Sequence, residues 1–374
     1  MAESSIINNA ARVLQLVATG TPADQALRES LTQNRLFTAP GERRGISRAV
    51  FAYYRWWRWL NEKDSRQTQL IAALDCQQRF DHNPASLKAE TLAARAVPDW
   101  LKAEMDVIPP AMLTQWQREP ALWIRAKAGT GSALTKKLSH FFPAPQSPDA
   151  LRYTGITDLY RTPEFQSGEF EIQDLASQLV GLAAAPQPGE TWWDACAGEG
   201  GKTMHLSDLM QNKGLLWASD RSLRRLAKLK ERAARAQVFN FRTVPWEGTA
   251  KPPTKTKFDG ILVDAPCSGV GTWQRNPHAR WTTTPQDVRE LAAVQRQLLD
   301  HVAGSLKPGG RLIYAVCTLT RAETTALAEA FSAAHPELEP CPLTALGSAL
   351  SALTLWPQDL NANGMFIAAW RKKI

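Results

Sequence analysis

The sequence predicts an α/β fold in which a Rossmann-like, doubly wound domain (residues 169–374) follows an all-α domain (1–95) and a small α+β domain (96–168). Two observations carry this prediction. From about residue 170 onward, short apolar runs alternate with helical patterns, which is typical of a parallel sheet covered by helices. Residues 1–95 instead contain one helical pattern after another, with apolar residues at helical spacing.

In the first domain, "SIINNAARVLQLVATG" predicts a helix ending at Gly20, and "TPADQALRESLTQNR" predicts a helix with Thr21 as N-cap and Pro22 at the first position. The next segment, "PGERRGISRAVFAYYRWWRWLNEK", interleaves arginines with aromatic residues. Two interpretations stay open. The segment is either an amphipathic helix with a buried aromatic face or a face that contacts RNA, since arginine and aromatic side chains also contact phosphates and bases.

The small domain gives mixed signals. "ALWIRAKAG" predicts a strand, "SALTKKLSHFF" a helix and "PAPQSPDA" a loop, which together suggest a compact α+β domain.

In the last domain, five strands are predicted at "TWWDACAGEGGKT", "GLLWASD", "FRTVPW", "KFDGILVDAP" and "GGRLIYAVC", with helices between them. Asp194, Asp220, Asp264 and Cys317 all fall at the carboxyl ends of these strands. Open α/β sheets bind their ligands at that edge, near the point where the strand order reverses. These four side chains therefore mark the expected site.

Composition narrows the class of protein. The net charge is +8 and the pI about 9.3, which makes nucleic acid the leading acidic partner. No apolar run has transmembrane length and the N-terminus does not resemble a signal peptide, so we expect a cytoplasmic protein with no membrane contact. Five widely spaced cysteines without CxxC pairs predict reduced thiols and no metal site. We expect a monomer.

The first turn of the last domain, "DACAGEGGKT", indicates a nucleotide-type cofactor without phosphates. It lacks the spacing of a P-loop, because Gly198 stands only four residues before Lys202, and its glycines do not fit a dinucleotide fingerprint. Asp220, at the end of the second strand, suits the two hydroxyls of a ribose. S-adenosylmethionine fits this pattern better than NAD, while a generic nucleotide site stays the alternative.

Cys267, three residues past Asp264, and Cys317 both follow apolar strands. A lone cysteine in such a place is usually a small buried hydrophobe. Two thiols and a carboxylate at adjacent strand ends instead match the needs of methylation at carbon 5 of cytosine. That reaction requires a thiolate to add to carbon 6, a group to stabilise charge at the ring edge, and a base to complete release.

Four segments, "QDLASQLVG", "DACAGEGGKT", "DAPCSGVGTWQRNP" and "YAVCTLTRAE", resemble the RNA (cytosine-5) methyltransferases of the Sun/Fmu (RsmB-like) and NOL1/NOP2 family over about residues 95–370. Residues 1–95 resemble the NusB-like RNA-binding domain of the bacterial members that modify small-subunit rRNA. The resemblance implies a methyltransferase that uses S-adenosylmethionine and acts on RNA, with rRNA favoured and tRNA as the alternative.

The resemblance also implies residue roles. Cys317 is expected to be the nucleophile, Cys267 to assist release, Asp264 to hold the cytosine edge and Lys202 to line the same pocket. The expected cofactor-binding residues are Cys196, Ala197, Gly198, Glu199, Gly200, Gly201, Lys202, Asp220, Arg225, Glu247 and Asp264.

The sequence departs from the family at four positions. Gly198-Glu199 stands where Ala-Pro is usual, Val316 where Thr precedes the nucleophile, Glu247 where Asp is expected, and Asn363 where Asp is frequent. These departures bear on the adenine contacts and the substrate, not on the chemistry of the thiols.

Two other functions compete with this one. Methylation of an exocyclic amine fits poorly, because Asp264-Ala265-Pro266-Cys267 has no aromatic residue to stack a base. A catalytically inactive RNA-binding assembly factor is the non-enzymatic alternative, and retention of both cysteines argues against it.

Overall fold

The computed structural model describes residues 2–33 and 40–374, which divide into two compact units. The first contains residues 1–120 and 269–285, and the second contains residues 121–268 and 286–374. None of the helices in these described ranges is long and apolar enough to cross a bilayer.

The first unit is helical. Its helices before residue 120 are α1 (Ala2–Ala18), α2 (Ala23–Gln33), α3 (Pro40–Arg55), α4 (Arg66–His82), α5 (Ala89–Arg95), α6 (Leu101–Glu104) and α7 (Pro110–Trp116). The aromatic residues of the arginine-rich segment lie mostly in the core of this unit, where Tyr53, Tyr54 and Trp56 are buried together with the Arg55 side chain. The structure therefore favours the packing interpretation for these residues.

The second unit begins with a four-stranded antiparallel sheet in the order β2-β3-β1-β4. Its elements are β1 (Leu122–Ala126), α8 (Gly131–Lys137), β2 (Phe141–Ala144), β3 (Ser147–Tyr153), α9 (Pro163–Gln166) and β4 (Phe170–Ile172).

The loop predicted at "PAPQSPDA" was wrong, because this stretch forms the end of β2 and most of β3. Both prolines fit, since Pro143 lies on an edge strand and Pro148 precedes the part of β3 that pairs with β1. The predicted helix at "SALTKKLSHFF" was correct only up to Lys137.

The rest of the second unit is built on an eight-stranded sheet in the order β10-β12-β9-β8-β5-β6-β7, with β11 also paired to β12. The strands are β5 (Thr191–Asp194), β6 (Leu215–Asp220), β7 (Phe241–Pro245), β8 (Phe258–Asp264), β9 (Leu306–Val316), β10 (Leu338–Pro340), β11 (Ala352–Leu355) and β12 (Met365–Lys372). The helices are α10 (Leu175–Ala184), α11 (Gly201–Leu209), α12 (Leu223–Arg235), α14 (Pro285–Ala303), α15 (Thr325–Ala334) and α16 (Pro357–Leu360), while α13 (Ala279–Thr282) belongs to the first unit.

Strands β5 to β9 are parallel to one another, as predicted, and the doubly wound α/β fold is confirmed. The sequence did not predict β10, β11 and β12, which join the sheet in antiparallel pairing beside β9. Helices cover both faces because the strand side chains alternate: Ile261 and Val263 pack in one apolar cluster, and Leu262 packs in another.

The strand order reverses at β5, whose neighbours are β6 and β8. At this position Gly260 of β8 lies against the ring of Trp192, where a Cβ atom would come within 2.2 Å of the indole. The close approach of β8 to Trp192 therefore requires glycine. The switch point places the carboxyl ends of β5, β6, β8 and β9 at one edge of the sheet.

Candidate active site

A cleft of about 400 Å³ opens at the carboxyl ends of these strands. Ten of the residues predicted from the sequence line it: Cys196, Ala197, Gly198, Glu199, Asp220, Arg225, Glu247, Asp264, Cys267 and Cys317. Its volume lies within the range of about 300–1,000 Å³ that is common for small-molecule sites.

The two cysteines predicted to act together are neighbours in the structure. Cys267 follows β8 in the Asp-Ala-Pro-Cys segment, and Cys317 follows β9 directly. Their Sγ atoms are 3.3 Å apart, well beyond the ~2.05 Å of a disulfide bond, and both side chains are half-buried. A molecule in the cleft can therefore meet both thiols at one place.

Lys202 and Asp264 form an ion pair beside the thiols. The Lys202 Nζ donates to Asp264 Oδ2 at 2.7 Å, and the lysine is almost fully buried whereas the aspartate is about one-third exposed. Burial disfavours the ammonium, but the Asp264 carboxylate outweighs burial and raises the pKa of Lys202. Lys202 therefore lies behind Asp264 and reaches the site through that carboxylate.

The glycine-rich turn connects β5 to α11 and forms one wall of the cleft. Gly198 and Gly200 adopt positive φ angles of 55° and 85°, which a residue with a Cβ rarely adopts. A Cβ on Gly200 would also collide with Leu229 of α12, and Gly201 is the first residue of α11. The structure thus places Gly200 and Gly201 in the helix start behind the cleft lining.

Asp220 hydrogen-bonds to two backbone segments at the wall of the cleft. Its carboxylate accepts hydrogen bonds from the backbone N–H groups of Gly198 at 3.0 Å and Ser222 at 2.8 Å, and Arg225 lies 3.5 Å away. Each carboxylate oxygen can accept more than one hydrogen bond, so the residue can still bind a ligand hydroxyl. Binding of a ribose by Asp220 stays a prediction.

One further carboxylate, that of Asp194, and one further thiol, that of Cys196, lie at this wall. Asp194 is fully buried, and burial raises its pKa to about 7, although the hydroxyl of Thr203 donates to it at 2.7 Å and opposes the shift. Burial, together with the carboxylates of Asp194 and Asp264, also raises the pKa of Cys196. Cys196 is thus held as a neutral thiol at the cleft wall.

The sequence missed several lining residues, namely Ala195, Arg221, Trp246, Gly248, Ala265, Pro266, Val294 and Leu298. Trp246 and Arg221 could have been found, because Trp246 ends one predicted strand and Arg221 directly follows another. Val294 and Leu298 lie inside α14, where their positions follow the helical pattern and carry no separate signal. Asn363, singled out as a departure from the family, does not line the cleft; its backbone N–H donates to the carboxylate of Asp174.

A buried glutamate beside the thiols was also missed. Glu323 is fully buried, and its carboxylate accepts hydrogen bonds from Ser268 and Thr318, the residues that follow the two cysteines. It falls inside the quoted segment "YAVCTLTRAE", but nothing in the pattern distinguishes it from a solvated glutamate.

The doubly wound sheet with a glycine-rich first turn and an acidic second strand end defines the class of Rossmann-like nucleotide-cofactor proteins. A family model described as 16S rRNA methyltransferase RsmB/F matches residues 181–371. The chain belongs to this RsmB/F methyltransferase family.

Relatives agree with this assignment. The chain is 38% identical over 238 residues to "Probable ribosomal RNA small subunit methyltransferase B" of Synechocystis sp., covering 60% of this chain and 53% of that protein. It is 32% identical over 257 residues to ribosomal RNA small subunit methyltransferase B of Salmonella typhi, covering 64% and 58%. The chain therefore spans a little over half the length of these relatives.

Among solved structures, the protein PH0851 superposes with a TM-score of 0.77 at 22% identity, over 98% of each chain. At that identity the likeness supports the fold alone.

Proposed function

We propose that this protein methylates carbon 5 of a cytosine in RNA, with small-subunit rRNA as substrate and S-adenosylmethionine as methyl donor. The observation that carries the proposal is the pair of thiols, 3.3 Å apart in a cleft that the glycine-rich turn and Asp220 also line. Methylation of an exocyclic amine needs neither thiol.

Each thiol has a separate task in this reaction. Cys317 Sγ adds to carbon 6 of the cytosine, which breaks the 5,6 double bond and makes carbon 5 nucleophilic. After methylation, Cys267 assists removal of the proton from carbon 5, the double bond re-forms and Cys317 Sγ leaves. Because the two sulfurs are close together, both can reach the same face of the cytosine ring.

Asp264 and Lys202 act at the edge of the base. The partly exposed Asp264 carboxylate orients the N3 and N4 edge, and the buried Lys202 ammonium supplies positive charge behind it. Negative charge that develops on the ring during thiol addition is stabilised by the Lys202 ammonium, which its ion pair with Asp264 fixes in place before the reaction.

The cleft residues fit S-adenosylmethionine, which supplies a methyl group activated by its sulfonium. Asp220 offers a carboxylate to the ribose hydroxyls, and Cys196 to Gly198 line the wall beside it. The positive φ of Gly198 favours glycine at this position. Because glycine has no side chain, the backbone of the wall can approach the ligand. Glu199, Arg225, Glu247 and Asp264, also expected to bind this group, line the same cleft.

The choice of rRNA follows the names of the relatives and the resemblance of residues 1–95 to an RNA-binding domain. Binding of RNA by residues 1–95, the division at residues 95 and 168, a cytoplasmic location and a monomeric state stay predictions. Methylation of tRNA is the alternative substrate class. An inactive assembly factor is the alternative without catalysis.

Bisulfite sequencing of total RNA from cells with and without the gene tests the proposal. We expect one cytosine of the small-subunit rRNA to resist conversion only when the gene is present. Protection of a tRNA position would select the alternative substrate. If no cytosine changes, and purified protein binds RNA without transferring a labelled methyl group, the assembly-factor function is correct.

A further inference from the structure

We propose that Glu323 is a positioning residue that holds the Cys267 and Cys317 thiols against each other. Its catalytic consequence depends on the function proposed above, whereas its effect on thiol placement does not. The observation behind it is a buried hydrogen-bond network, here called the Glu323 network, formed by Ser268, Gln295, Thr318, Thr320 and Glu323.

Glu323 connects, through a single carboxylate, the loops that follow β8 and β9. These are here called the cysteine loops, because they carry Cys267 and Cys317. Its Oε1 accepts from the Ser268 backbone N–H at 2.8 Å, and its Oε2 accepts from the hydroxyls of Ser268 and Thr318, the latter at 3.0 Å. Ser268 follows Cys267 and Thr318 follows Cys317. One side chain therefore bonds to the residue next to each thiol, although Ser268 and Thr318 are fifty residues apart in the sequence.

The remaining contacts fix the carboxylate itself. Thr320 Oγ1 donates to Oε2 at 2.7 Å, and Gln295 Nε2 donates to Oε1 at 2.9 Å and to the Pro266 carbonyl at 2.8 Å. The Tyr314 hydroxyl donates at 2.7 Å to the backbone carbonyl of Glu323. All the side-chain partners are donors, which matches the acceptor capacity of an ionised carboxylate.

Burial makes the hydrogen bonds of the Glu323 network costly to break. Glu323, Gln295 and Thr318 are fully buried, so breaking a contact leaves a polar group without water to replace its partner. Hydrogen bonds to a charged group are stronger than neutral ones, and members of a satisfied buried network restrain one another. Ser268 and Thr318 are thereby kept at a fixed separation, and the adjacent thiols with them.

Thiol cross-linking measures this placement directly. Treated with diamide, the two thiols lose two electrons and two protons, the disulfide forms, and diamide is reduced to the hydrazine. Non-reducing peptide mapping follows the Cys267–Cys317 cross-link in the full chain. We expect Glu323→Ala to slow its formation by about tenfold or more, because the Ser268 and Thr318 donors lose their shared acceptor.

Two variants serve as controls, and a third replaces Glu323→Ala if that variant fails to fold. Glu323→Gln keeps the shape and one acceptor oxygen for the Ser268 backbone N–H, and the hydroxyls of Ser268 and Thr318 can turn to accept from its amide NH2, so we expect cross-linking within a few-fold of wild type. Glu329→Ala removes an exposed glutamate of α15 and should cross-link as wild type does. If Glu323→Ala fails to fold, the Ser268→Ala/Thr318→Val double variant removes the two hydroxyl donors and should slow the reaction in the same direction. Cross-linking at the wild-type rate in the folded Glu323→Ala or in the double variant overturns the inference.

Methyl transfer gives the second readout. We expect Glu323→Ala to lower kcat about tenfold or more with cofactor affinity unchanged within a few-fold, and Glu323→Gln to restore most of it. A loss that appears only in cofactor affinity would contradict a role at the thiols. If wild-type protein transfers no methyl group to RNA, the proposed function fails, and the cross-linking result still decides whether Glu323 positions the thiols.

Discussion

Cys317 and Cys267 stand 3.3 Å apart, so position alone does not distinguish the attacking thiol from the one that assists release. If Cys317 attacks, Cys267→Ala should still form the bond to carbon 6 but release it slowly. We expect this variant to accumulate a covalent protein–RNA adduct that survives denaturing gel electrophoresis. Cys317→Ala and the double variant should form none, while binding the cofactor within a few-fold of wild type. An adduct formed by Cys317→Ala but not by Cys267→Ala would show that Cys267 attacks and Cys317 assists release.

Asp220 is the residue with the clearest expected effect on the cofactor. Asp220→Ala removes an acceptor for the ribose and should weaken cofactor binding by about 1.5–3 kcal/mol, the range for a hydrogen bond to a charged group. Calorimetric titration measures the change. Asp149→Ala is the matched control, because Asp149 likewise accepts from two backbone N–H groups, of Gly129 and Gly131, but does not line the cleft. Equal affinities in wild type and Asp220→Ala would show that Asp220 does not bind the cofactor.

Asp194 should make stability depend on pH. Its pKa is raised to about 7 in the folded protein, so the protonated form is favoured by folding. The stability this contributes is fully present below the unfolded pKa of about 3.9 and is lost as pH rises through about 7, by up to about 4 kcal/mol. Denaturant unfolding at pH 5 and pH 8 measures it. Asp194→Asn should remove most of this loss, and an unchanged pH dependence in that variant would contradict the cause.

At the scale of elements, the start of α11 depends on the conformation of one glycine. Gly200 has a φ of 85°, and a Cβ there would lie 2.5 Å from Leu229 Cγ of α12. Gly200→Ala should therefore lower the free energy of unfolding by about 1–3 kcal/mol through backbone strain and overpacking. Gly201→Ala is the control, because its Cβ would meet no atom within 4 Å. Equal losses in the two variants would contradict the argument from conformation.

At the scale of the whole molecule, residues 269–285 leave the methyltransferase sequence and fold with the helical unit. The Trp281 indole N–H donates to the Tyr54 carbonyl at 2.6 Å, and the Arg58 guanidinium lies over the Trp281 ring. Trp281→Ala should lower the free energy of unfolding of this unit by about 2–4 kcal/mol. Phe239→Ala, which removes an exposed aromatic ring of the other unit, should change it by about 0.5 kcal/mol or less. Matching values for the two would mean that the segment does not stabilise the unit.

The same segment shows why the burial of some residues could not be predicted. Arg280 is fully buried and donates to the Ala96 and Trp116 carbonyls, and burial lowers its pKa to about 9. An arginine in a polar stretch gives no signal of burial, because the Ala96 and Trp116 carbonyls that it bonds to lie more than 160 residues away in the sequence. The strands at Pro143 and Pro148 were missed for a related reason, since only the sheet order shows that these positions tolerate proline.

The sequence by itself determined the doubly wound fold and the strand ends at which Asp220, Asp264, Cys267 and Cys317 lie. Strand and helix periodicity are local, and parallel strands bring their carboxyl ends to one edge. Only the tertiary structure decided the contact between the two sulfurs, the pairing of Lys202 with Asp264, and the carboxylate of Glu323 between the cysteine loops. These contacts join residues fifty or more positions apart or depend on burial, and local patterns encode neither.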